Sequence, residues 1–65
     1  MKVYVVTAYA PLQPERYVAV RRSRREAERV IRGGFPNARE VEPGTFLCRQ
    51  DGRERFMAIR EEELA

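Results

Sequence analysis

The chain has 65 residues, of which 43% are hydrophobic and 35% charged, with a formal net charge of +3 and no histidine. That length allows one small domain, 1–65, which buries only about 60% of the surface its unfolded chain exposes, so its stability margin is thin and self-association would widen it. The apolar content and regular patterning exclude a disordered chain, and the single cysteine, Cys48, excludes an internal disulfide and suits a reducing compartment.

The first apolar run is too short for a signal peptide or a membrane span, so a cytoplasmic protein with no membrane partner is expected. Charge is distributed unevenly. Between Arg16 and Arg32 seven arginines stand against two glutamates, a local net of +5, whereas Glu61, Glu62 and Glu63 carry −3. Residues 61–65 read as a solvated, flexible acidic tail. Twelve of the 13 basic residues are Arg, which a GC-rich genome or a thermophilic source explains as readily as function does.

Taken in order, Lys2–Tyr9 is rich in Val, Tyr and Thr and apolar on both faces, the pattern of a strand covered on both sides. Residues 10–15 contain Pro11 and Pro14 and read as a loop. Arg16–Arg21 is a second short strand, pairing with the first as a wide hairpin. Residues 21–34 then carry the one helix. Ser23 and Glu26 form a capping box, each side chain placed to satisfy the other's backbone N–H. Ala27, Val30 and Ile31 recur at i, i+3 and i+4 and define one narrow apolar face. Gly33 and Gly34 are expected to end the helix in the left-handed conformation, ahead of Pro36.

Phe35 is expected under the last turn. Residues 38–42 form a weak, charged strand suited to a sheet edge. Pro43 and Gly44 are spaced for a type II turn. Thr45–Gln50 is a strand, and Asp51-Gly52 is a two-residue hairpin signal leading to a return strand over 53–60. That turn fixes the register: Gln50 opposite Arg53, Arg49 opposite Glu54, Cys48 opposite Arg55, Leu47 opposite Phe56 and Phe46 opposite Met57. Alternation puts Phe46, Cys48, Met57 and Ile59 on one face and Leu47, Phe56 and Ala58 on the other. The fold class is α+β, with the order β-β-α-β-β-β in two layers and the helix on one face of a mostly antiparallel sheet. A single helix leaves one sheet face partly open, so Leu47 and Phe56 are candidates for a protein or self-association interface, unless the sheet curls and buries them.

Little chemistry is available for catalysis. The absence of histidine removes the usual general base and the commonest metal ligand. Cys48 falls within a strand and reads as an inert small hydrophobe, although Arg55 opposite it could lower its pKa. Ser23, Thr7, Thr45 and Asp51 all have structural assignments. No glycine-rich phosphate loop precedes a helix, since Gly33-Gly34 follows one. The acidic run would hold a hard cation only weakly. The chain is expected to be no enzyme, with no cofactor, no metal and no small-molecule substrate.

The feature with a functional edge is basic. Arg21, Arg22, Arg24 and Arg25 bracket the start of the helix, where the macrodipole is already positive, and each cation sits against the local field at a cost of tenths of a kcal/mol. A bound polyanion reverses that sign. With Arg29 and Arg32 these side chains form a candidate phosphate-binding surface for nucleic acid, and Tyr9 and Tyr17 are candidate stacking groups beside it. The competing reading is a solvated face, with Glu26 and Glu28 pairing with Arg22, Arg29 and Arg32.

The opening Lys-Val-Tyr-Val-Val-Thr, the second strand and the Ser-Arg-Arg-Glu-Ala-Glu that follows resemble a group of short phage and bacterial proteins of unknown function, in which a β-hairpin leads into a capped helix. The likeness covers roughly the first half of the chain. It implies a small phage or mobile-element protein that modulates host machinery, and it assigns no site.

Overall fold

The computed structural model describes residues 1–10 and 12–64. The architecture is α+β, a five-stranded antiparallel sheet and one helix. The elements run β1 (Lys2–Tyr9), β2 (Arg16–Arg21), α1 (Arg24–Gly34), β3 (Arg39–Glu42), β4 (Thr45–Gln50) and β5 (Arg53–Glu63). In the sheet the strand order is β2-β1-β5-β4-β3, so the first and last strands of the chain pair near its centre.

Local signals explain most of these boundaries. Ser23 has extended backbone and its Oγ accepts the Glu26 N–H at 3.1 Å, so the acceptor half of the capping box is formed. Asp51 and Gly52 both have positive φ, 53° and 75°, as a two-residue hairpin turn with the right twist requires. The β4/β5 register is the one that turn dictates, from Gln50 opposite Arg53 to Phe46 opposite Met57. Gly44 has φ +81°, its N–H donates to Glu40 and its carbonyl accepts from Ile59, so the turn is tied at both ends. A Cβ at Gly44 would meet the Ile59 carbonyl at 3.1 Å.

Val6, Ala27, Ile31, Ala38, Phe46, Cys48 and Met57 form one buried cluster, against which Tyr4, Ala8, Ala19, Val30, Phe35 and Ile59 pack. The apolar stripe of α1 therefore meets side chains from β1, β4 and β5. Val3, Val5 and Thr7 alternate with this set and are also buried, outside the cluster, on the other face of β1. The chain enters α1 directly from β2, at one sheet edge, yet Arg24 in the first turn reaches Glu40 on β3, at the other.

Two expectations are corrected. Gly33 and Gly34 do not end the helix in the left-handed conformation: both belong to α1, neither has positive φ, and the stop is made by Phe35, whose N–H donates to the Ile31 carbonyl at 2.8 Å. Residues 61–63 are not a flexible tail: Glu61, Glu62 and Glu63 extend β5 opposite Tyr4, Val3 and Lys2. Lys2 meets Glu61 at 3.0 Å, and hydrogen bonding to that carboxylate raises the Lys2 pKa above its ordinary value. Ala65 lies outside the described residues.

Candidate nucleic-acid interface

The start of α1 separates its arginines into two kinds. Arg24 is held by glutamates, with Nε 3.4 Å from Glu28 and a terminal nitrogen 3.0 Å from Glu40. Arg32 turns back at the other end of the helix, donating to the Ala38 carbonyl at 3.2 Å and lying 5.6 Å above the Phe46 ring. It lengthens the cover over the core and bonds a carbonyl just past the helix end.

Arg21, Arg22, Arg25 and Arg29 have no carboxylate within ion-pairing distance among the described residues. Arg21 instead donates to its neighbour's carbonyl, Val20, at 2.9 Å. Arg25 and Arg29 are one turn apart and lie on the side of α1 away from buried Ala27 and Ile31, both exposed. Arg22 precedes the cap on the same approach. Glu26 is the one acid in the first turn. The result is a positively charged outer face at the end of the helix that carries positive dipole.

Tyr9 and Tyr17 do not belong to that face. Arg21, next to the helix start, stands opposite Tyr4. Tyr9 is five residues further along β1, about 17 Å at the strand rise. Its ring stacks on Phe56, its direct partner on β5, with centroids 5.5 Å apart. Tyr17 is 71% exposed and pairs with Thr7, so it belongs to the face of β1 turned away from the Val6 cluster. Leu47 and Phe56 are direct partners on that same face and are half-buried. Arg60 lies there too, and its 2.6 Å ion pair with Glu15 spans β1 at the level of Thr7. The most exposed apolar side chains of the strands are Tyr17, Val18 and Val20 on edge strand β2, which the alternation of so short a segment did not single out.

Beyond the C-terminal end of α1 is an open cleft of about 220 Å³ that sequence reading missed. Ala8, Tyr9, Val18, Phe35 and Met57 give it an apolar lining, and Arg16 and Arg55 line it with charge. Its residues come from β1, β2, β5, the helix end and the connection between β1 and β2, which supplies Ala10, Gln13 and Pro14, and no local motif announces such a convergence.

Cys48 is fully buried, and burial pushes its thiol pKa up, which is opposite to the lowering expected from Arg55. Among the described residues no three His, Cys, Asp or Glu side chains group as metal ligands, and no helix is long and apolar enough to cross a membrane. Comparison of the chain with protein-family models, with curated proteins and with solved structures gives no match.

Proposed function

We propose that the chain is a non-catalytic protein that binds the phosphate backbone of a nucleic acid through Arg21, Arg22, Arg25 and Arg29, with little sequence preference. This reading takes the fold as two layers, with α1 over one sheet face and its basic side presented outward. The supporting observation is the division among the arginines: Arg24 is ion-paired to glutamates and Arg32 bonds the Ala38 carbonyl over Phe46, while these four lack carboxylate partners among the described residues. Their guanidiniums, together with backbone N–H groups of the first turn, suit phosphate oxygens.

Neutralising about four phosphates gives a slope of log affinity against log salt near −3 to −4. Fluorescence anisotropy with short duplex DNA, single-stranded DNA and RNA across a salt series measures it. The double charge reversal Arg25→Glu/Arg29→Glu abolishes steeply salt-dependent binding if the reading holds. Flat salt dependence, or equal binding by the variant, removes it.

A second reading, a protein-interaction or self-association module, is favoured by the contrast between the sheet edges. β3 is four residues long and three of its four side chains are charged, features that discourage strand addition. β2 presents Tyr17, Val18 and Val20, between 46% and 71% exposed. Under this reading the partner adds to β2, and host machinery is the partner class that the phage-like resemblance implies. Sedimentation equilibrium of the wild type and of Val20→Lys tests the self-association form, which a monomer at every concentration would sink.

A further inference from the structure

The cleft beyond the end of α1 belongs to neither reading, and we propose that it binds a small carboxylate with an apolar body, its head held between Arg16 and Arg55. The register places the two arginines. Arg16 stands opposite Ala8 on one side of β1, and Met57 stands opposite the same Ala8 on the other. Arg55 is two residues from Met57 and shares its face. Arg16 on β2 and Arg55 on β5 therefore flank β1 from its two sides, two strand spacings across and two residues along, about 12 Å apart at the backbone, within reach of two long arginine side chains converging on one head group.

Charge defines the class of ligand. No Asp or Glu lines the cleft among the described residues, and neither Arg16 nor Arg55 has a carboxylate within ion-pairing distance. Arg24, Arg49 and Arg60, by contrast, each have a glutamate. Two like charges beside an apolar recess are complementary to an anion, and each planar fork matches the two oxygens of a carboxylate. The rest of the lining is apolar, Val18, Phe35 and Met57 among it, with Ala10 and Pro14 from the β1–β2 connection, and Gln13 is a polar group that could serve a further oxygen. A carboxylate, with two oxygens and a single charge, is the smallest head group that matches one such fork, and the phosphate arm of the test separates it from a phosphate ester.

Size limits the body. At about 220 Å³ the cleft is below the range of drug-sized pockets and suits roughly ten to twelve non-hydrogen atoms. Such a ligand reaches a dissociation constant of about 1 mM at ordinary ligand efficiency.

The test is an NMR titration of the full chain with 3-phenylpropionate, its neutral analogue 3-phenylpropanol, and phenyl phosphate. The expected result is saturable shifts at Ala8, Val18, Phe35 and Met57 with 3-phenylpropionate, and binding of the alcohol at least about tenfold weaker. Arg16→Gln and Arg55→Gln, both at exposed positions, each weaken the carboxylate about tenfold, whereas Arg25→Gln leaves it unchanged. Arg16→Lys keeps the charge without the fork and falls between wild type and Arg16→Gln. Absence of saturation, equal binding of the alcohol, or shifts centred on Arg25 and Arg29 overturn the proposal. Tighter binding of phenyl phosphate overturns the carboxylate assignment. Nucleic-acid binding is read by Arg25→Glu/Arg29→Glu and fails or survives separately.

Discussion

Arg24 and Gly44 meet on a single atom: Glu40 Oε2 accepts the Arg24 guanidinium at 3.0 Å and the Gly44 N–H at 2.8 Å. One carboxylate oxygen on an edge strand thus joins the start of the helix to the turn between β3 and β4. The two bonds are unequal in consequence. The guanidinium partner is half-exposed and keeps its hydration when released, whereas the Gly44 N–H, in a tight and buried turn, has no replacement partner at hand.

Glu40→Ala is therefore expected to destabilise the fold by about 1–2 kcal/mol, chiefly through the orphaned N–H. Arg24→Ala removes two surface ion pairs, to Glu28 and Glu40, and costs no more than ~1 kcal/mol. Urea denaturation of the two variants checks the order, and an Arg24→Ala loss equal to that of Glu40→Ala would contradict it.

The glycines divide in the same way. Gly33 and Gly34 have helical backbone, and a Cβ at either would meet nothing within 4 Å. Gly33→Ala is expected to stabilise by about 0.5–1 kcal/mol, and Gly34→Ala, at the fraying end, by less. Gly44→Ala combines a left-handed φ with a 3.1 Å approach to the Ile59 carbonyl and is expected to cost about 1–3 kcal/mol. Thermal melts give opposite signs for Gly33 and Gly44, and a lowered melting temperature for Gly33→Ala would refute this account of the helix end.

Thr7 is fully buried, and its Oγ1 has no hydrogen-bond partner among the described residues. The desolvated hydroxyl is not offset by any bond, so the nearly isosteric Thr7→Val is expected to stabilise by about 1–2 kcal/mol. Chemical denaturation measures it. A destabilised Thr7→Val would mean that the hydroxyl is satisfied in solution.

The Cys48 thiol, held above its ordinary pKa by burial, sets a pH dependence of definite sign. A group with a higher pKa in the folded state stabilises fully below its unfolded pKa and loses that contribution as pH rises toward the folded one. Cys48→Ala lacks this term. The stability difference between wild type and Cys48→Ala is expected to shrink above the ordinary thiol range, about pH 8.5. Iodoacetamide should label Cys48 only on unfolding, and rapid labelling of the native protein would show the thiol to be accessible.

Features set by neighbouring residues were legible in the sequence. Ser23 and Glu26 are three apart, and their cap needs nothing beyond a helix. Asp51-Gly52 leaves one register open to the strands it joins, and every pair follows from it. What could not be read depends on contacts between distant segments. The run Glu61-Glu62-Glu63 resembles a solvated tail because its strand partner and the counter-ion Lys2 lie at the opposite end of the chain. Gly33-Gly34 is a helix stop in composition, but both stay helical and Phe35 closes the last turn on the Ile31 carbonyl. The free arginines of the candidate interface could not be told from the bound ones until Glu40 came within reach of Arg24. Arg16 and Arg55 came to line one cleft only when β1 lay between their strands.

The strand order also governs how the molecule assembles. β1, β2 and α1 form one locally connected half, and β3, β4 and β5 form the other, each closed by short turns. The halves share a seam of eight registered pairs between Lys2–Tyr9 and β5. Such non-local pairing costs loop-closure entropy before it is rewarded, which makes joining the halves the slow step of folding. A nascent chain can form the β1/β2 and β3/β4 hairpins before β5 emerges, yet cannot complete the sheet without it. For the same reason, two fragments cut between Gly34 and Ala38 would retain their own turns and have one well-defined way to reassociate.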